Sequence, residues 1–213
     1  MKDGVKAIIF DVGGVLFLAK KKKNQEGKDL LSSFKETCFL LKSYINLEKS
    51  YENLRKIYLE SSAGKISKKE TLELFSKEIG ISQKKTKKIF EDVYRKNTIE
   101  NKKLYNRVLK LKKERYKIGI SSIQFHLSKD ILIPKKYYAN FDSVEVSCDN
   151  GLRKPDPEAF KISALHLKAN LSECIFVDDK QENLDAAKKL GMKTILFENN
   201  RQFFNDLKKF GVR

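Results

Sequence analysis

Tryptophan is absent from this 213-residue chain, which also holds only three prolines, three cysteines and two histidines. The cysteines are odd in number and show no C-x-x-C spacing. They therefore point to neither a disulfide framework nor a zinc ribbon, and Cys38, Cys148 and Cys174 read as reduced thiols of a cytoplasmic protein. So little proline and only ten glycines exclude collagen and proline-glycine disorder. Long apolar runs are missing as well. A bilayer needs about 20 apolar residues in succession, and the nearest approach is 7–19, which follows Lys2 and Lys6 as a signal peptide would. Asp11 and the Gly13-Gly14 pair interrupt it, and an Asp at mid-membrane costs about 2.5–3.5 kcal/mol on insertion scales. The segment reads as a buried strand and turn, and no membrane partner is expected.

Acidic residues are the scarcer charge, 28 against 45 Lys and Arg, for a net charge of +17. Such a balance suits a phosphate backbone, because bound cations release counterions. Lys nevertheless outnumbers Arg 38 to 7 and is spread from Lys2 to Lys209, with no recognition motif among them. Nucleic acid is not the expected partner. The tract Lys20 to Lys28 reads as a solvated linker, with an anion patch at a site mouth as its alternative.

What is present is enough apolar residue, 40%, for a core of one medium domain. Short apolar runs at 6–10, 116–120, 174–177 and 193–197, with a weaker one at 143–147, read as buried strands of a parallel sheet. Helical periodicity fills 101–115, 158–167 and 180–190. Asp156 followed by Pro157 opens the second of these, and Gly191 closes the third. Strand-helix alternation predicts a doubly wound α/β sheet. Between the first strand and the rest, every periodic segment is helical: 30–41, 47–59, 68–79 and 82–94, with a capping box at Ser67 and Glu70. The expected organisation is an α/β core from 1–18 and 99–213, interrupted by a helical insertion at 19–98.

Ligands of open α/β sheets sit beyond the carboxyl ends of the strands. The residues there are Asp11, Ser121, Ser122, Asp178 and Asp179, with Lys154 in the segment Gly151 to Pro157. Carboxylates gathered at one edge repel unless a cation neutralises them, and oxygen-only ligands favour a hard ion such as Mg²⁺. A hydroxyl at Ser121, an ammonium at Lys154 and backbone amides at Gly13 and Gly14 would suit a phosphoryl group. His126 and His166 have no partner at ligand spacing and read as surface or packed histidines. Phe34, Phe39, Tyr44, Tyr51 and Tyr58 read as packing among the inserted helices, with substrate contact by one or two left open.

Four segments together, Phe10-Asp11-Val12-Gly13-Gly14-Val15-Leu16, Ile120-Ser121-Ser122, Arg153-Lys154-Pro155-Asp156-Pro157 with Phe160, and Phe176-Val177-Asp178-Asp179 with Asn183 and Ala186-Ala187, resemble the ordered motifs of the haloacid dehalogenase (HAD) superfamily. The helical insertion resembles that family's cap. The resemblance implies a Rossmann-like core and an Mg²⁺-dependent phosphatase acting on a small phosphate ester through an aspartyl-phosphate. It makes Asp11 the nucleophile and Ser121, with Ser122 nearby, the phosphoryl contact. Lys154 becomes the neutralising cation, and Asp11, Gly13, Asp178 and Asp179 become the metal ligands, with Asp178 either on the ion or acting through water. The chain departs from the pattern at Gly13, where most phosphatases of the family carry a second Asp as general acid and base. Positioned proton transfer contributes about 10²–10⁴-fold. That loss leaves a catalytically impaired binder of an anion, a nucleic acid or a protein as the alternative. The family's dehalogenases also lack the second Asp, but they need no metal and would leave the Asp178-Asp179 pair unexplained.

Overall fold

A computed structural model of the chain describes residues 4–20, 38, 41 and 50–212. The expected helix at 30–41, the tract at 21–28 and the aromatic residues Phe34, Phe39 and Tyr44 lie outside the described residues, apart from Cys38 and Leu41, which are helical and buried. Strand β1 (Ala7–Phe10) is followed by β2 (Phe17–Ala19) and, after the inserted helices, by β3 (Thr98–Glu100). The chain then runs through β4 (Lys117–Ser122), β5 (Ser143–Val146), β6 (Cys174–Asp178) and β7 (Lys193–Leu196). Five of these strands make one sheet in the order β5-β4-β1-β6-β7, and every pairing in it is parallel.

Burial on both faces accounts for the continuous apolar strands. On β1, Ile8 and Phe10 enter the core on one side of the sheet, while Ala7 and Ile9 enter the other. Strand β6 repeats the division, with Ile175 and Val177 opposed to Cys174 and Phe176. A period of two on a sheet covered on both sides gives this result. The chain moves from β1 outward to β4 and β5, then returns to β6 and β7 on the other side. The crevice at the carboxyl end of β1 is therefore the switch point of the sheet.

Helices α1 (Tyr51–Ser62), α2 (Lys68–Ile79) and α3 (Gln83–Asn97) lie between β2 and β3. The Ser67-Glu70 capping box forms in both directions, and Gly80 ends α2 in the left-handed conformation. Phe75 and Phe90 stack edge to face at 5.2 Å, and Phe125 of the core packs 5.6 Å from Phe90 and 5.0 Å from Tyr58. One aromatic cluster thus joins the inserted helices to the loop that follows β4. The antiparallel ribbon of β2 and β3 is not legible in the sequence, because two three-residue strands offer no periodicity to read. It draws both ends of the insertion together, and Asn101 secures it by donating from its side chain to the Val15 carbonyl at 3.0 Å and from its amide to that of Leu16 at 2.9 Å.

Helix α4 (Lys102–Lys113) precedes β4, and the short α5 (His126–Leu132), α6 (Lys135–Tyr138) and α7 (Ser147–Asn150) flank β5. Helix α8 (Pro157–His166) starts with the Asp156 side chain accepting from the Glu158 amide at 2.9 Å. Helices α9 (Gln181–Lys189) and α10 (Asn200–Lys209) complete the layers. Among the described residues no helix is long and apolar enough to cross a membrane.

Candidate functional site

Register brings the strand-end residues together. Phe10 pairs with Ile120 on one side and with Val177 on the other, so Asp11, Ser121 and Asp178 leave the sheet as neighbours. The Asp11 amide prolongs the ladder by donating to the Val177 carbonyl at 2.9 Å. Lys154 reaches this edge from the loop before α8. Its ammonium donates to Asp11 Oδ1 at 2.8 Å and to Asp178 Oδ2 at 2.6 Å, and it lies 5.0 Å from the centre of the Phe176 ring.

These groups are almost fully buried, and their charges depend on one another. Burial alone would strip the proton from Lys154, but the carboxylates of Asp11 and Asp178 outweigh it and hold the ammonium above its ordinary pKa. Burial raises Asp11, against the pull of Lys154. Asp178 is saturated. Its Oδ1 accepts from the Lys180 amide at 2.9 Å and from Asn183 at 3.1 Å, and its Oδ2 accepts from Lys154 and from Asn183 at 3.0 Å.

Asp179 differs. Its Oδ1 is buried and has no hydrogen-bond partner among the described residues. Burial, followed by the charges of Asp11 and Asp178, pushes its carboxyl up to about 7. Ligand oxygens of Asp11, Asp178 and Asp179 lie within 4.8 Å of one another. A buried acceptor without a donor, beside two further carboxylates, fits a hard cation. Gly14 makes the room. At φ +76° it holds a left-handed conformation, and a Cβ there would stand 2.3 Å from Asp179 Oδ2.

One sequence expectation takes a different form in the structure. The Gly14 amide is not open to a phosphoryl group, because it donates to the Phe17 carbonyl at 2.8 Å in closing the turn after Asp11. Ser122 Oγ accepts from the side chain of Gln124 at 3.1 Å, whereas Ser121 takes the position beside Asp11. Gly13 faces open space, since a Cβ built on it meets nothing within 4 Å. Asn183 is the site residue whose role the sequence reading missed. It belongs to the fourth motif, but only the fold shows its amide bridging both oxygens of Asp178.

A family model for haloacid dehalogenase-like hydrolases matches residues 5–191. The chain belongs to that family. A HAD family enzyme from Bacteroides thetaiotaomicron, crystallised with magnesium and inorganic phosphate, superposes with a TM-score of 0.70 at 20% identity, over 94% of this chain and 99% of that one. A HAD-like hydrolase from Porphyromonas gingivalis gives 0.73 at 20% identity over 98% of both chains. These likenesses establish the shared fold. Among curated relatives, flavin mononucleotide hydrolase 1 of Arabidopsis thaliana is 39% identical over 66 residues, 31% of this chain and 27% of its own length. Sesquiterpene phosphatase astK of Aspergillus oryzae is 42% identical over 52 residues, 24% of this chain and 26% of its own. This HAD chain thus matches only about a quarter of the length of either relative.

Proposed function

We propose that this HAD hydrolase is an Mg²⁺-dependent phosphatase of a small phosphorylated metabolite, with Asp11 as its nucleophile. The observation that carries the reading is the pairing of a buried ammonium, Lys154, with Asp11 while Asp179, in the same carboxylate cluster, has a buried oxygen with no partner among the described residues. Such a pocket accepts a cation and an anion together. The magnesium and phosphate held by the Bacteroides structure, and the hydrolase and phosphatase names of the two curated relatives, support it.

In this reading Asp11 and Asp179 would hold the metal, with the Gly13 carbonyl as a further ligand. Asp178, whose oxygens are taken by Lys154, Asn183 and the Lys180 amide, would act by fixing Lys154. The ion supplies charge neutralisation of the phosphoryl oxygens when bound. Asp11 attacks phosphorus, a new P–O bond forms, and the ester P–O bond breaks. The departing alkoxide then takes a proton from water. Water next attacks the phosphoryl group on Asp11 and releases inorganic phosphate, restoring the carboxylate. Lys154 stabilises the charge on Asp11 and on the transferring group, and the Ser121 hydroxyl donates to a phosphoryl oxygen. The inserted helices serve as a cap that excludes water and selects the substrate.

Gly13 provides no proton for the leaving group, so this site suits esters whose alcohols leave without help. The test is phosphate release from an activated aryl phosphate. Activity is expected to need Mg²⁺ and to vanish in Asp11→Asn, with unchanged far-ultraviolet dichroism showing that the variant folds. Gly13→Asp, whose Cβ meets nothing within 4 Å, is expected to raise turnover of alkyl phosphates by about 10²-fold or more. Turnover that survives both chelation and Asp11→Asn overturns the mechanism.

A further inference from the structure

A second set of metal-ligand side chains shares no residue with the carboxylate cluster. Donor atoms of His126, Cys148 and Asp149 lie within 4.8 Å of one another. His126 is the first residue of α5, while Cys148 and Asp149 stand on α7, after β5. More than twenty residues of sequence separate the two parts, which is why spacing alone left His126 without a partner.

We propose that the His126 imidazole, the Cys148 thiolate and the Asp149 carboxylate bind a borderline transition-metal ion, specifically Zn²⁺, at the seam between the inserted helices and the sheet. The donor set carries the argument first. Nitrogen, sulfur and oxygen together suit Zn²⁺, whereas the oxygen-only cluster at Asp11 suits Mg²⁺. Two nearby clusters of different softness would sort the two ions between them.

Orientation carries it next. The imidazole of His126 lies against the backbone of Ile66, and the His126 amide donates to Ser61 Oγ at 3.1 Å. A ligating histidine ordinarily anchors its second ring nitrogen on a backbone carbonyl or carboxylate, and the Ile66 backbone stands where it could serve so. Donors around a tetrahedral Zn²⁺ stand about 3.5 Å apart, so the cluster has to contract by no more than about 1.3 Å. Asp149 supplies that movement, because its side chain is 45% exposed whereas Cys148 is buried.

Charge does not forbid it. Lys129 straddles the Asp149 carboxylate, at 2.7 Å from Oδ1 and 2.5 Å from Oδ2, and Lys68 is paired with Asp130 close by. Binding would turn one of these oxygens from the ammonium to the metal while the other stays on Lys129, a rotation open to the exposed Asp149 side chain. Cys148 loses its proton to solvent on binding, and thiolate plus carboxylate then cancel the charge of the dication. The bound ion would tie the turn at 63–66 to α7. The two are already in close approach, since a Cβ on Gly64 would lie 3.3 Å from the Gly151 nitrogen and 3.4 Å from the Cys148 carbonyl.

The test uses the full chain with saturating Mg²⁺, so that the carboxylate cluster is occupied, and Co²⁺ as the probe. One equivalent of Co²⁺ per chain is expected to produce thiolate-to-cobalt charge-transfer absorption, and Zn²⁺ is expected to displace it. Cys148→Ser should abolish the band, while His126→Asn and Asp149→Asn should weaken Co²⁺ binding by about tenfold or more. The last two substitutions lie at less buried positions, so they decide the question even if Cys148→Ser fails to fold. Absence of the band in the folded wild-type protein at excess Co²⁺ overturns the proposal. Its survival in Cys148→Ser does so too, because the sulfur would then be Cys38 or Cys174.

Discussion

Replacing Asp179 by Asn tests the electrostatics of the candidate site without any substrate. In the folded chain, burial and the charges of Asp11 and Asp178 move this carboxyl from 3.8 to about 7. Between those pH values the folded state keeps a proton that the unfolded state has released, so stability falls as pH rises through this window. About three pH units, at about 1.4 kcal/mol each, put the loss on the order of 4 kcal/mol once the pH passes about 8. Asparagine keeps the shape and removes the titration. In chelator at pH 8, Asp179→Asn is expected to be the more stable protein by about 4 kcal/mol, whereas at pH 5, little more than one pH unit into the window, the gap should shrink to about 2 kcal/mol and close near pH 4. For a domain of this size the gap at pH 8 is about 8–16 °C in Tm. Mg²⁺ should stabilise the wild type at pH 8, much less at pH 5, and should leave the variant unmoved. Denaturant melts at the two pH values, with and without Mg²⁺, measure all of this. A variant less stable than wild type at pH 8 in chelator, or a difference that ignores pH, would refute the reasoning.

Other outcomes follow from the same geometry. Lys154→Met removes the cation shared by Asp11 and the wholly buried Asp178, and is expected to cost about 3–5 kcal/mol, read from denaturant midpoints. An unchanged midpoint would show that another cation compensates. Gly14→Ala puts a methyl group 2.3 Å from Asp179 Oδ2 at a left-handed position, so about 1–3 kcal/mol of stability and most of the Mg²⁺-induced rise in Tm should be lost. Retention of the wild-type Mg²⁺ response would place the metal away from Asp179.

The core was legible because its signals are local. Strands buried on both faces are continuous apolar runs, and the runs at 6–10 and 174–177 fall on β1 and β6. Capping chemistry was equally readable at Ser67, Asp156 and Pro157, since each cap acts within three residues. The ribbon of β2 and β3 escaped because its partners are some eighty residues apart and each is three residues long. Helix α10 carries an amphipathic pattern that the reading passed over, with Phe203 and Leu207 buried on one side.

Site residues divide in the same way. Asp11, Ser121, Lys154, Asp178 and Asp179 stood out as chemically suited types at strand ends and in an ordered set of motifs. Their division of labour did not, because Asp178 and Asp179 are adjacent in sequence and identical in type. Only the fold buries one against Lys154 and Asn183 and turns the other toward Gly14 with an oxygen unpartnered. The meeting of His126 with Cys148 and Asp149 is likewise a property of the fold alone. A sequence determines which elements form and which chemical groups stand at their ends, because those depend on neighbours within a few bonds. Which donor faces which acceptor depends on strand order and register, and these are set by packing the whole core at once.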